Sequence, residues 1–248
     1  DQRERLITRL QDEVNKKVPF QGSRIHQYKC DSLIALGHNI VGALQEKSTP
    51  YTKIGDYHIA FPLLEEAAEI DPEDALYYYS WLLLYYYRDY ERALERLNQY
   101  DDFTPNQYDV VWGEDVNYLK GLAYKQLGSF SQAVEEFTKA INDEGENVDV
   151  YAFVYRGITF FHQGQFDLAL SDFDHAIEEY DKCSMAHYWK AETLAKKGDY
   201  NECIDLLEKT HDLLRKGYVK SDPYMEVFDV PSVGLVRDRK IEINRLFN

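Results

Sequence analysis

The residues that could carry chemistry in this chain are its seven histidines and one group of side chains at 172–175. Catalysis requires titratable groups that converge, and no two histidines lie four residues apart as in a helical metal site. The sequence contains no HExxH, paired CxxC, GxSxG or glycine-rich phosphate motif. Asp172, Asp174 and His175 are close together, but they alternate with Phe173 and Ala176. We interpret them as the solvated face of a helix rather than a metal site, and we predict no catalytic residue, metal or cofactor.

The three cysteines bear on the compartment. Cys30, Cys183 and Cys203 are odd in number and include no close pair, which argues against a disulfide framework and favours a reducing environment. No apolar stretch approaches the 18 residues of a membrane span. We therefore predict a cytoplasmic protein, although a removed leader is compatible with a sequence that begins at Asp1.

The charge balance limits the classes of partner. The 248 residues include 44 acidic and 28 basic side chains, for a net charge of -16, and 44% of residues are apolar, enough to form a core. A negative field repels phosphate, which disfavours nucleic acid. Residues 1–30 hold seven basic and four acidic side chains, and residues 237–248 hold four and two. The acidity therefore lies in the middle of the chain and favours a basic partner.

The middle of the chain is repetitive. Three segments align when they are started at Gly121, Gly157 and Ala191, and the steps between them are 36 and 34 residues. A fourth copy begins at Trp81, and half of another at Gly55. The anchor positions are Gly128, Gly164 and Gly198; Phe130, Phe166 and Tyr200; Ala133, Ala169 and Cys203; and Phe137, Phe173 and Leu207.

This pattern is typical of stacked pairs of antiparallel helices. The glycine ends the first helix, since it can adopt a left-handed conformation, and the alanines of the second helix allow close approach of the two backbones. Each pair leaves an apolar face that the next pair covers, which produces a curved solenoid with a concave groove.

The pattern resembles the tetratricopeptide repeat, here as a helical-repeat protein of bacterial type. Two copies match the family positions throughout, whereas the copy at Trp81 and the copy at Ala191 depart from them, as terminal copies often do. The resemblance implies an all-α fold, a right-handed superhelix of about five helix pairs with capping segments at both ends. The implied organisation is an N-terminal cap at 1–30, an array at 31–217 with copies near 31–73, 74–106, 114–147, 150–183 and 184–217, and a C-terminal cap at 218–248.

The resemblance also implies which side chains line the groove, because certain positions of each first helix face it in this family. Six positions in each of four copies face the groove in this family, and ten of these 24 are aromatic here. Tyrosine and tryptophan are common in recognition surfaces. The alternative is that several of these rings pack between helices. The implied groove residues are Tyr78, Tyr79, Leu82, Tyr85, Tyr86, Tyr118, Leu122, Tyr151, Tyr155, Ile158, Phe161, Tyr188 and Trp189.

Several segments depart from the regular period. The excess between two copies falls at 101–115, a loop whose Tyr108 and Trp112 could serve binding or fill a gap between pairs. Upstream, we predict a helix from about Ser32 to Lys47 followed by an expanded turn. A helix from Arg3 to Lys17 and an extended segment at 218–231 followed by a short helix are expected to cap the array.

Taken together, these features predict a non-enzymatic scaffold or adaptor that binds a peptide or helical segment of a protein in an aromatic, acidic groove. The alternative is a regulatory receptor for a peptide signal, or an immunity-type inhibitor that binds a basic protein. The sequence predicts neither nucleic acid nor membrane as a partner, and it leaves the oligomeric state open.

Overall fold

A computed structural model describes residues 2–104, 110–111, 114–144 and 149–247. Over these residues the secondary structure is helical apart from one pair of two-residue strands, and the predicted all-α fold is confirmed. The strands β1 (Val110–Val111) and β2 (Glu114–Asp115) are antiparallel. The helices are α1 (Gln2–Asn15), α2 (Arg24–Ala35), α3 (Ile40–Lys53), α4 (Tyr57–Ile70), α5 (Pro72–Leu82), α6 (Tyr90–Asp101), α7 (Val116–Gln126), α8 (Phe130–Glu144), α9 (Val150–His162), α10 (Phe166–Glu179), α11 (Ser184–Lys197), α12 (Tyr200–Arg215) and α13 (Val233–Phe247).

The chain forms two compact units, 1–105 and 106–248. In unit 1, α3 packs with α4 and α5 packs with α6, so two successive helix pairs form its centre. The helices α1 and α2 precede them, and Val14, Cys30 and Leu33 form a small apolar cluster there with Ala43 of α3. The helix α1 thus packs on α2 and buries Val14 there.

Unit 2 consists of three helix pairs and a final helix. The pairs are α7 with α8, α9 with α10, and α11 with α12, and each pair packs on the next. The last helix, α13, packs on α12 and buries Val236 and Ile243. The repeat boundaries inferred from the sequence stay a prediction, but the helix pairs follow the periodic pattern that suggested them.

The glycines of the repeat act at two kinds of position. At the end of each first helix in unit 2, Gly128, Gly164 and Gly198 have φ of +74°, +73° and +89°, the left-handed conformation that ends a helix. Within the helices, a Cβ atom at Gly157 would lie 2.7 Å from the ring of Phe173. Gly121 stands in the same relation to Phe137. These glycines let the second helix place a ring against the first.

A substitution tests this close approach. We expect Gly157→Ala to destabilise the protein by about 1–3 kcal/mol, because the added methyl group overlaps a fully buried ring. Denaturant titration measures the loss. In the double variant Gly157→Ala/Phe173→Leu the smaller side chain leaves room for the methyl group. The stability lost in the double variant should therefore be smaller than the sum of the losses in the two single variants. Simple additivity would show that the methyl group is accommodated elsewhere.

The first pair of unit 1 begins later than the sequence suggested. The predicted helix from Ser32 to Lys47 is wrong, because the non-helical residues 36–39 separate α2 from α3. The helix α3 then continues to Lys53. Pro50 lies within α3, where its ring was expected to mark a turn. The break falls at Gly37, which has φ of +67°.

The second pair of unit 1 contains a π-helical turn, Leu83–Tyr87, at the end of α5. Such a turn accommodates one extra residue. Ser80 is fully buried, whereas Trp81 is partly exposed and contacts the rings of Tyr85 and Tyr86. We therefore place Ser80, not Trp81, at the small-residue position of this copy, and the alignment shifts by one residue.

Candidate functional site

Side chains of three first helices in unit 2 hold the segment that joins α12 to α13. We call residues 218–231 the tail, and the surface formed by α7, α9 and α11 on the side of Tyr118, Tyr155 and Trp189 the inner face. The tail contains no helix or strand, and all of it belongs to the described range 149–247. Each of the three helices donates or accepts at least one polar contact with it.

One end of the contact is a lysine among tyrosine rings. The Nζ atom of Lys220 donates to the Tyr118 hydroxyl at 3.2 Å. The same atom lies 3.9 Å from the ring centroid of Tyr151 and 5.7 Å from that of Tyr155. An ammonium group over aromatic rings is attracted by their electron-rich faces. We call these three tyrosines the tyrosine cage.

Carboxylates reinforce this site. Burial lowers the pKa of Lys220, whereas the negative charges of Asp149 and Glu114 favour its charged form. Asp149 also accepts a hydrogen bond from the Tyr151 backbone amide at 3.0 Å and so caps the start of α9. A carboxylate that begins a helix of the repeat therefore also gives the cage a negative potential.

The other end of the contact is built on the tail backbone. The Tyr155 hydroxyl donates to the carbonyl oxygen of Phe228 at 3.1 Å, and the Trp189 indole N–H donates to that of Asp229 at 3.0 Å. The carboxylate of Asp229 lies 2.6 Å from Nζ of Lys125, whose side chain is buried. The Phe228 side chain is also buried. The hydrogen bonds from Tyr155 and Trp189 are to backbone carbonyls, so they do not depend on the sequence of the bound segment.

Local geometry explains why the tail lies across the helices. Gly217 has φ of +86° and turns the chain after α12. The Asp222 carboxylate accepts from the backbone amides of Tyr224 and Met225, which forms a turn at mid-tail. Beyond the tail, Arg239 of α13 pairs with Glu192 of α11 at 2.8 Å. The tail is therefore anchored at both ends.

The predicted groove residues of unit 2 separate into two groups. Tyr118, Tyr151, Tyr155 and Trp189 contact the tail, as described above. The rest pack against other helices or rings. Leu122 and Ile158 are fully buried, Phe161 packs edge-on against Trp189, and Tyr188 joins the apolar cluster of α12 and α13.

The predicted groove residues of unit 1 are mostly internal. Tyr79, Leu82 and Tyr85 are buried. The Tyr79 hydroxyl donates to Glu65 of α4 at 2.5 Å, in the way that Arg156 donates to Thr138 of the preceding pair in unit 2. This correspondence follows from the π-helical turn, which rotates the aromatic run. Such packing between helices was the alternative for these rings.

Tyr78 and Tyr86 are half-buried in unit 1. The Tyr78 hydroxyl lies 3.0 Å from that of Thr49 on α3, and burial raises the pKa of Tyr78 to about 12. The backbone carbonyl of Tyr86 accepts from the Tyr57 hydroxyl. The Tyr78 side chain thus takes part in a contact between neighbouring helices, whereas the Tyr86 ring contacts that of Trp81 in the same helical segment.

Residues in the tail were not among the predicted site residues. Lys220, Phe228 and Asp229 meet partners about 40 to 100 positions away in the chain, which no local pattern reveals. The two prolines of the tail predicted an extended segment, but not its position. A lysine within an acidic stretch was the one available signal.

The acidic group on α10 needs a correction. Asp172 is buried and accepts two hydrogen bonds from the Arg156 guanidinium, at 2.9 and 2.7 Å, so it does not belong to a solvated face. Asp174 pairs with Lys190 at 2.8 Å, and the ring of His175 contacts that of Phe153. Within the part of the chain that the structure describes, no group of three potential metal ligands is present.

The remaining sequence predictions concern a loop and membrane spans. Tyr108 and Trp112 of the inserted loop lie outside the described residues. Of the helices that the structure describes, none has the length and apolar character to cross a membrane.

The three cysteines are free and buried. Burial raises the pKa of the Cys30 and Cys203 thiols to about 11, and that of Cys183 in the same direction. A thiolate is the reactive species, so these groups should be inert in the folded protein.

Thiol labelling tests this burial. At pH 8 we expect negligible reaction of the folded protein with a disulfide reagent and three thiols per chain in denaturant. Since the folded pKa values exceed the unfolded value of about 8.5, the thiols stabilise the fold below that pH and lose this contribution as pH rises toward 11. Rapid labelling of the native protein would contradict the burial.

Comparison with known proteins follows the periodic segments. One tetratricopeptide repeat family model matches residues 114–142 and a second matches residues 156–209. A TPR repeat-containing protein of Methanocaldococcus jannaschii is 24% identical over 220 residues, which cover 81% of this chain and 37% of that protein. Superkiller protein 3 of Saccharomyces cerevisiae is 28% identical over 130 residues, 48% of this chain and 9% of that protein. The chain thus matches less than two fifths of either relative.

Solved structures share the fold. The structure of MamA from residue 41 to its end, from Desulfovibrio magneticus RS-1, has a TM-score of 0.61 at 17% identity, covering 72% of this chain and 97% of that one. PilW, a type IV pilus biogenesis factor, has a TM-score of 0.60 at 20% identity, covering 72% and 79%. YrrB has a TM-score of 0.54 at 18% identity, covering 70% and 86%. With its periodic sequence and stacked helix pairs, the chain is a helical-repeat protein in which residues 114–142 and 156–209 match the tetratricopeptide repeat.

Proposed function

We propose that this protein is a non-enzymatic interaction scaffold that binds a non-helical segment of a partner protein on the inner face of unit 2. One observation carries the proposal. The inner face already holds a non-helical segment, its own tail, through hydrogen bonds to two backbone carbonyls and a caged lysine.

The chemistry of the face suits peptide recognition. Side chains that donate to backbone carbonyls provide affinity for any extended chain, and tyrosine and tryptophan lose little conformational freedom on binding. The solved structure of YrrB is described as that of a TPR protein with an unusual peptide-binding site, which supports a peptide-binding role for a related fold. A non-helical partner segment is favoured over a helical one because the segment bound here contains no helix.

Site-directed photocrosslinking tests the proposal. The photoreactive residue p-benzoylphenylalanine replaces Phe161, which is half-buried beside Trp189 on the inner face. In the matched control it replaces Leu168, which is 51% exposed on the second helix of the same pair. We expect a discrete crosslinked partner from position 161 in cells and none from 168. Crosslinks from 168 alone would place the partner elsewhere and reject the proposal.

A further inference from the structure

The inner face is occupied in this structure, and its occupant has a defined chemistry. From one end to the other the tail offers a lysine to the tyrosine cage, two backbone carbonyls to Tyr155 and Trp189, and a carboxylate to Lys125. A partner segment that binds the same face must replace these contacts. The tail must therefore be displaced before a partner binds, and its contacts indicate which chemical groups the partner needs.

We propose that the tail is an internal competitor for the partner site, and that the tyrosine cage selects a lysine in the partner segment. This inference rests on the proposed function, since it concerns the same face. The ligand is a non-helical peptide that turns as the tail does, with a lysine and, nine positions later, an acidic side chain that can pair with Lys125, as Lys220 and Asp229 are spaced here.

The cage suits an ammonium group in three ways. The Tyr118 hydroxyl accepts one N–H bond at 3.2 Å, the rings of Tyr151 and Tyr155 offer their faces, and the carboxylates of Glu114 and Asp149 supply negative potential. A neutral side chain of similar length would lose the attraction to rings and carboxylates. Because a neutral side chain is not attracted to the aromatic rings as a cation is, loss of the lysine should weaken binding about tenfold.

The tail can open without loss of the fold. Its residues belong to neither a helix nor a strand, so its release breaks no ladder of backbone hydrogen bonds. The anchors on either side remain, since α13 stays packed on α12 through Val236 and Ile243. Because the tail is linked to its site, it competes at a high effective concentration, and the apparent affinity of a partner falls with the fraction of open molecules.

A titration with a defined peptide tests both parts of the proposal. The probe is a fluorescent peptide with the sequence of residues 218–231, and a second probe carries glutamine in place of the lysine. Three full-length chains are compared: the natural protein, Lys220→Glu, and Ser221→Glu. The last is a control for a new carboxylate in the tail, because Ser221 is the exposed neighbour and also becomes glutamate, although its charge changes by one unit rather than two.

We expect the lysine probe to bind Lys220→Glu at least about tenfold more tightly than the natural protein or Ser221→Glu, because the tail no longer competes. We expect the glutamine probe to bind Lys220→Glu about tenfold more weakly than the lysine probe. Equal binding of the lysine probe to all three chains would overturn competition by the tail. Equal binding of both probes would overturn the selection of lysine.

Two further outcomes are decisive. If neither probe binds, the inner face does not accept a segment of this chemistry and the inference is wrong, whereas crosslinking from position 161 still decides the proposed function on its own. If Lys220→Glu does not fold, hydrogen exchange of the natural protein with the lysine probe answers the question. Faster exchange in residues 218–231 supports displacement, and unchanged exchange at saturating probe rejects it.

Discussion

Replacing Tyr79 by alanine is expected to destabilise unit 1 by about 3–5 kcal/mol, the range for loss of a fully buried aromatic side chain. The Tyr79 ring has no exposed surface, and it packs edge-on against Phe61. Its hydroxyl group donates to Glu65, which also accepts from Arg96 at 3.2 Å. The substitution therefore leaves a cavity and removes one donor from a half-buried carboxylate.

Urea unfolding followed by circular dichroism measures this loss. The matched control is Tyr28→Ala, the same substitution in the same unit at a side chain that is 72% exposed, with an expected effect within about 0.5 kcal/mol. Similar stability of the two variants would contradict the internal position of Tyr79. It would instead support the position in the groove that the sequence predicted for Tyr79.

Replacing Tyr155 by alanine is expected to have a comparable effect on unit 2, about 3–5 kcal/mol. The ring is 1% exposed and lies 6.0 Å from that of Tyr118 and 6.3 Å from that of Phe137, centroid to centroid. The conservative variant Tyr155→Phe keeps these contacts and removes only the hydrogen bond to Phe228. We expect it to lower the stability by about 0.5–1.5 kcal/mol.

The two variants separate the core from the tail. Hydrogen exchange in residues 218–231 should accelerate in Tyr155→Phe while α9 stays protected, because the lost bond belongs to the tail. Urea unfolding gives the stabilities, with Tyr180→Ala as the control at a ring that is 38% exposed. A phenylalanine variant as unstable as the alanine variant would show that the hydroxyl group supports the core itself.

The fold was largely predictable because its determinants are local. A helix that ends at Gly128 or Gly164 and a ring that meets Gly121 or Gly157 recur at a fixed period, so each copy supports the alignment of the others. The errors arise where one copy departs from the period. The π-helical turn after α5 inserts one residue, and no feature of the amino-acid composition indicates its backbone hydrogen-bond pattern.

The candidate site was predictable only in part. The tyrosines at 118, 151 and 155 follow from their positions in a repeat, but the role of each depends on what lies against it. Lys220 reaches Tyr118 from 102 residues away, and this contact depends on the packing of α13 beyond the tail. Periodicity describes the helices of the array, and a segment outside the period is placed by packing alone.

Anchoring of the tail at both ends, by Gly217 after α12 and by α13 beyond Pro231, has a consequence for rates. A free terminus can peel away residue by residue as an incoming chain advances, whereas a loop held at both ends must lift as one piece. Partner association would then approach a plateau as partner concentration increases, and the plateau would report how often the loop lifts. The rate at which this loop lifts would thus limit how fast a partner associates, independently of the affinity for that partner.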